Sequence, residues 1–146
     1  MLAGAYLRGA ELNRAELEGA SLKNAKLGDA DLREANLVGA RLDSADLRKA
    51  DLRETNLAEA TLVGADLRRA DLAGVVLRHA ILHGADLREA NLAGADLAGA
   101  RFCQRYRTPA SATEIASAQE EHLTRRSTKR ALGFKSPMNW NRPAGP

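Results

Sequence analysis

Leucine returns at every fifth position from Leu2 to Leu97, and Phe102 takes the next place in the same register. From Leu7 onward alanine stands two residues before each centre, replaced only at Thr55 and Val75. The place just before the centre is often Asp or Asn, as at Asp31, Asn36 and Asp66. The place two after it is often Gly, as at Gly39, Gly64 and Gly94. An α-helix cannot use this period, because five residues at about 100° each move the leucines by about 140° per repeat and smear them round every face. A straight strand fails too, since an odd spacing sends successive leucines to opposite sides. Within one repeat, however, Ala and Leu lie two apart and share a side of an extended segment. A chain that turns after each segment points every Ala–Leu pair inward, with Asp/Asn and Gly suited to the corner. The pattern predicts a coil of short extended sides stacked on itself. Val75 is larger than the alanine it replaces, so a local bulge is expected around Val75–Val76.

This A-(D/N)-L-x-(G/x) run, unbroken over residues 1–102, resembles the pentapeptide-repeat family. Spacing alone leaves three sides or four open. The resemblance implies an all-β solenoid, a right-handed quadrilateral parallel β-helix with four repeats per coil and about five coils, roughly 24 Å of rod at about 4.8 Å per rung. No single coil can hide its own leucines, so stability grows with stacking, at about 1.5–3 kcal/mol for each buried Leu.

With four sides, residues twenty apart share an outer column. One face then carries Asp46, Asp66 and Asp86 beside Arg48, Arg68 and Arg88, with Arg8 further back, and reads as a solvated salt-bridge ladder. Such exposed pairs are worth roughly 0–1 kcal/mol each. The next face carries Glu11, Asp31, Asp51 and Asp71 in one column, with Arg14, Arg33 and Arg53 close by. Some pentapeptide-repeat proteins that confer fluoroquinolone resistance resemble duplex DNA and bind DNA gyrase. A carboxylate column is the feature such mimicry needs, although a near-neutral body is a poor imitation of phosphate. Val63, Ile81 and His83 fall on a third, less charged face, with Val38 and Val76 round the corner, and form a candidate docking patch.

Composition sharpens the picture. The chain has 146 residues, 3% aromatic, too few rings for an ordinary globular core. The formal net charge is +3, unevenly spread: residues 1–102 hold 14 Lys/Arg and 16 Asp/Glu, and residues 103–146 hold the remaining 8 basic and 3 acidic residues. The basic character belongs to the tail. One cysteine, Cys103, excludes an intrachain disulfide. With no basic-then-apolar leader and no long apolar run, the expected address is the cytoplasm. His79 and His83 have no ligand-like companions, so no metal, cofactor or catalytic residue is expected. No phosphate-binding loop motif occurs. The chain reads as a non-enzymatic protein-binding module, with a gyrase-binding DNA mimic as the alternative. No direct contact with nucleic acid or membrane is expected.

The period stops after Phe102. Ser111 and Glu114 fit a capping box, opening a helix over about 112–132 that Gly133 and Pro137 end. Phe102, Ile115 and Leu123 are the expected contacts of a cap on the last coil or of a homodimer clasp. The first coil has no such cover, since Met1 is already in register, and is expected either to continue upstream or to stack on a partner.

Overall fold

In the computed structural model, which describes residues 1–102, every β-bridge joins residues twenty apart in parallel. Tyr6 pairs with Lys26, Glu11 with Asp31, Glu16 with Asn36 and Ser21 with Arg41. Twenty residues are four repeats, so one circuit of the chain has four sides and the stack is a parallel β-helix. Each side contributes a single bridged residue. We number the faces by their bridged columns. Face 1 runs Tyr6, Lys26, Asp46, Asp66, Asp86, and face 2 runs Glu11, Asp31, Asp51, Asp71, Asn91. Face 3 runs Glu16, Asn36, Asn56, Val76, Asp96, and face 4 runs Ser21, Arg41, Thr61, Ile81, Arg101.

One repeat shows why the sequence folds this way. The Asp46 N–H donates to Ala25 C=O in the coil before, at 2.9 Å. The N–H groups of Leu47 and Lys49 donate to Asp66 and Arg68 in the coil after, at 2.8 and 3.0 Å. Ala50 N–H closes the corner on Leu47 C=O at 3.1 Å. The corner residue two after the leucine is left-handed in every repeat from Gly4 to Gly99, as a type II turn requires at its third position. Glycine fills that place at no steric cost. Eleven non-glycine residues also occupy it, Lys49 (φ 59°) and Glu54 (φ 58°) among them.

This leaves one orphan donor per repeat, the N–H just after the leucine. Where Asp or Asn precedes the leucine, its side chain takes it. Arg48 N–H donates to Asp46 Oδ1 at 3.3 Å, Val38 to Asn36 Oδ1 at 3.3 Å and Ala58 to Asn56 Oδ1 at 3.1 Å. The expectation that Asp and Asn serve the corner by tolerating its geometry is thus corrected. They sit on the flat bridged position, and their side chains accept the hydrogen bond that the ladder cannot.

Inside, Leu22 to Leu97 and most of their alanines are 0–4% exposed. Thr55, the one buried polar residue among those described, donates its hydroxyl to Leu32 C=O at 2.7 Å. Val75 lies in the next coil of the same inward column. The expected bulge does not occur: Val76 N–H reaches Thr55 C=O at 3.0 Å and Asp96 N–H reaches Val75 C=O at 2.8 Å, so the ladder runs on unbroken. The two departures from alanine stack on each other, and the column absorbs the extra volume. Leu2, Leu7, Leu12 and Leu17 are only partly buried, while Phe102 is half-buried against the core. Cys103, the 112–132 helix and its Ile115 and Leu123 lie outside the described residues.

Candidate interaction surface

Because Asp stands just before the leucine and Arg just after it, both project from one side of the rod, two residues apart. Arg48 grips Asp46 through Nε and Nη2, both at 2.7 Å. The same fork joins Arg68 to Asp66 and Arg88 to Asp86. The first two arginines also lean toward the carboxylate one coil on: Arg48 Nε lies 3.6 Å from Asp66 and Arg68 Nε 3.7 Å from Asp86. The expected salt-bridge ladder on face 1 is therefore a continuous zigzag.

Face 2 does the same with the column Glu11–Asp31–Asp51–Asp71, which the bridges bring into one line. Arg33 forks onto Asp31 at 2.9 and 2.7 Å, and Arg53 onto Asp51 at 2.8 and 2.6 Å. Arg33 lies 3.6 Å from Asp51 and Arg53 3.7 Å from Asp71. Arg14 instead pairs with Glu34 at 3.0 Å. The Arg33 guanidinium and backbone N–H hold the Asp31 carboxyl down at about 2. Asp46, Asp51 and Asp86 are lowered by their own arginines, against the opposing effect of partial burial.

The ladders are layered. On face 1 the Asp46 side chain is 21% exposed and that of Arg48 50%; on face 2 Asp31 is 26% and Arg33 47%. Guanidinium, not carboxylate, forms the outer skin of both. Beside the face 1 ladder runs a second column at the corner, Asp29, Lys49, Arg69 and Glu89. A shallow groove between the columns is lined by Arg48, Lys49, Arg68, Arg69 and Arg88, with Arg8 toward its first coil, and by the carboxylates of Asp29, Asp46 and Glu89. Sequence reasoning missed Lys49 and Arg69, because it treated that corner position as a place for glycine. On face 2 the corresponding column holds Arg14, Glu34 and Glu54.

Face 4 carries the apolar candidates. Val63 is 42% exposed. Ile81, bridged to Thr61, is half-buried, as is His83, whose C=O accepts Gly64 N–H at 2.9 Å. Val38 and Val76 are half-buried on the adjoining face 3. Among the described residues, no three His, Cys, Asp or Glu side chains are grouped to hold a metal ion. No described helix is long and apolar enough to cross a membrane.

Comparison with known proteins agrees with this geometry. The family model for pentapeptide repeats matches residues 2–37, 35–74 and 70–104. The chain belongs to the pentapeptide-repeat family. A pentapeptide repeat protein from the Arabidopsis thaliana thylakoid lumen is 29% identical, with 84% of this chain covering 80% of that one at a TM-score of 0.69. A second pentapeptide repeat protein, from Nostoc, is 38% identical over 64% of this chain and 84% of that one, at a TM-score of 0.29. QnrB1, a plasmid-mediated fluoroquinolone resistance protein, is 17% identical over 78% of this chain and 64% of that one, at a TM-score of 0.26. No curated protein matches the chain.

Proposed function

We propose that this pentapeptide-repeat rod is a non-enzymatic, cytoplasmic protein-binding module whose docking surface includes Val63, Ile81 and His83 on face 4. The observation that carries the reading is the exposure of Val63 amid a strip that lacks charged side chains, from Thr61 to Gly64 and from Ile81 to Gly84. The backbone above and below it is committed to the coil ladder, so the strip offers apolar contact on a rigid frame, and rigid frames lose little entropy on binding. Crosslinked capture from host lysate should yield a protein retained by the full chain and released when Val63→Asp is introduced. Identical capture by the variant would sink this surface.

A second reading is favoured by one observation, the excess of acid on face 2, where Glu11, Asp31, Glu34, Asp51, Glu54 and Asp71 face only three arginines. Such a column suits a DNA mimic directed at gyrase. Against it stands the guanidinium skin over Asp31 and Asp51. If the mimic reading holds, micromolar protein inhibits gyrase supercoiling and Asp51→Lys weakens that effect. Unimpaired supercoiling retires it.

A further inference from the structure

The groove on face 1 has features that neither the apolar strip nor the acidic column explains. In each ladder arginine, Nε and Nη2 hold the carboxylate. That leaves the Nη1 donors of Arg48, Arg68 and Arg88 without an intramolecular partner among the described residues. Lys49 has no ion-pair partner there either, and Arg69 stands in the same flanking column, held by Glu89 at 2.7 Å. The ladder aspartates beneath are the less exposed partners, while Glu89 is as exposed as the Arg69 it holds. The face as a whole sets seven cations against five carboxylates. A visiting anion therefore meets rows of spare N–H donors with a modest positive excess.

Spacing selects among anions. The arginines repeat once per coil, so three rungs lie at about 0, 4.8 and 9.6 Å. Glutamates at i, i+4 and i+7 of an α-helix project at about 0, 6.0 and 10.5 Å along its axis. Alternate residues of an extended strand fall at about 0, 6.6 and 13.2 Å, out of step by the third rung. Duplex DNA carries a charge every ~1.7 Å of its axis and calls for far more positive excess than this face, with its own row of aspartates, can offer. We propose that face 1 is a docking surface for an acidic α-helix of a protein partner, laid along the Arg48–Arg68–Arg88 row with Lys49 and Arg69 flanking it. This rests on the binding-module reading and adds a second surface to it, on the face next to the apolar strip.

The test is anisotropy of a labelled synthetic helix carrying Glu at i, i+4 and i+7, titrated with the full chain. A proline-broken peptide of the same composition and a short DNA duplex run alongside. The helix should bind at least about fivefold tighter than either, and more weakly as salt rises from about 50 to 200 mM, the range over which screening grows. Lys49→Glu with Arg69→Glu should cost about tenfold. Lys49→Ser with Arg69→Ser, which adds no repulsion, decides the matter if the first pair fails to fold. Glu54→Ser on face 2 should leave affinity unchanged. Equal binding of the broken peptide or the duplex overturns the proposal. So does undiminished binding by a folded Lys49/Arg69 variant, which would assign the peptide to the basic residues beyond 102. If the helix does not bind while Val63-dependent capture persists, this proposal fails and the binding-module reading stands.

Discussion

Faces 1 and 2 meet at a corner and carry the same Asp–Arg zigzag, yet they end with opposite charge. On face 1 the flanking corner column sets Lys49 and Arg69 between Asp29 and Glu89 and is neutral; on face 2 it sets Arg14 against Glu34 and Glu54. Most of the difference lies at the ends of the ladders, where Arg8 and Lys26 add to face 1 and Glu11 and Asp71 to face 2; between them the aspartates are tied to backbone N–H groups as well as to arginine. The opposite charge of the two faces is therefore decided mainly at the end rungs of the ladders, and the left-handed corners, where the fold asks least of the side chain, add exposed charge of either sign. The arginine-tied aspartates belong to the scaffold, and the exposed corner side chains, Lys49 on face 1 and Glu54 on face 2 among them, are free to tell partners apart.

The deepest test of that division strikes beneath both faces. Leu67→Asp places a carboxylate in a ladder with no polar partner, at a cost of several kcal/mol, and should collapse several coils. Arg68→Asp, one residue on, removes only a half-buried surface fork and should melt within a few degrees of the parent, as ion pairs at the surface are worth roughly 0–1 kcal/mol. Similar melting of the two variants in thermal denaturation would mean that the inward register is wrong.

A smaller effect separates acceptor from charge within the ladders. Asp51→Ala and Asp66→Ala each strip the acceptor from the following N–H, and should cost about 1–3 kcal/mol. Asn in the same places keeps that acceptor, as Asn36 and Asn56 do, and should cost under about 1 kcal/mol. Urea denaturation of the four variants compares them. Equal losses for Ala and Asn would mean that the ion pair, not the backbone bond, holds the column.

The inward half of this architecture was legible in the sequence. Leu and Ala two apart, repeated every five residues, can be buried together in very few ways, and Leu22 through Leu97 are buried as that pattern requires. The outer columns were legible too, once twenty residues per coil was assumed, because a period decides which residues stack. What the period does not reveal is where the corner begins. Hence the pattern alone puts Asp and Asn at a turn they do not occupy, and gives no sign of the groove's Lys49 and Arg69. Val75 misled for a related reason: its volume looked disruptive alone, but its stacking neighbour is Thr55 rather than alanine.

Acid should weaken both ladders alike. Asp31, Asp46, Asp51 and Asp86 titrate below their ordinary range in the folded rod, Asp31 at about 2, whereas an unfolded Asp titrates near about 3.9. A lowered folded pKa gives stability that is fully present above the unfolded value and lost as pH falls through the folded one. The melting temperature should hold from neutrality to about pH 5 and fall between about pH 4 and 2. Asp31→Asn with Asp51→Asn on face 2 should flatten that fall about as much as Asp46→Asn with Asp86→Asn on face 1. Calorimetry across that window checks it, and a fall confined to one face's pair would break the equivalence of the ladders.

The smallest effect is the most discriminating for the corners. Lys49 and Glu54 both hold left-handed backbone at φ 59° and 58°, a conformation costing an L residue roughly 1–2 kcal/mol. Glycine removes that cost but gives back roughly 0.5–1 kcal/mol in chain entropy. Lys49→Gly and Glu54→Gly should therefore each stabilise the rod slightly, by up to about 1 kcal/mol. Their effects on binding should part company. Lys49→Gly takes a free cation from the face 1 groove and should weaken the acidic helix, while Glu54→Gly leaves it untouched. A stability gain from both, together with a binding loss from Lys49→Gly alone, would place recognition at the corner and stability in the ladder. A loss of stability from either would mean that the corner side chain holds the coil together, and the division between scaffold and partner surface would have to be redrawn.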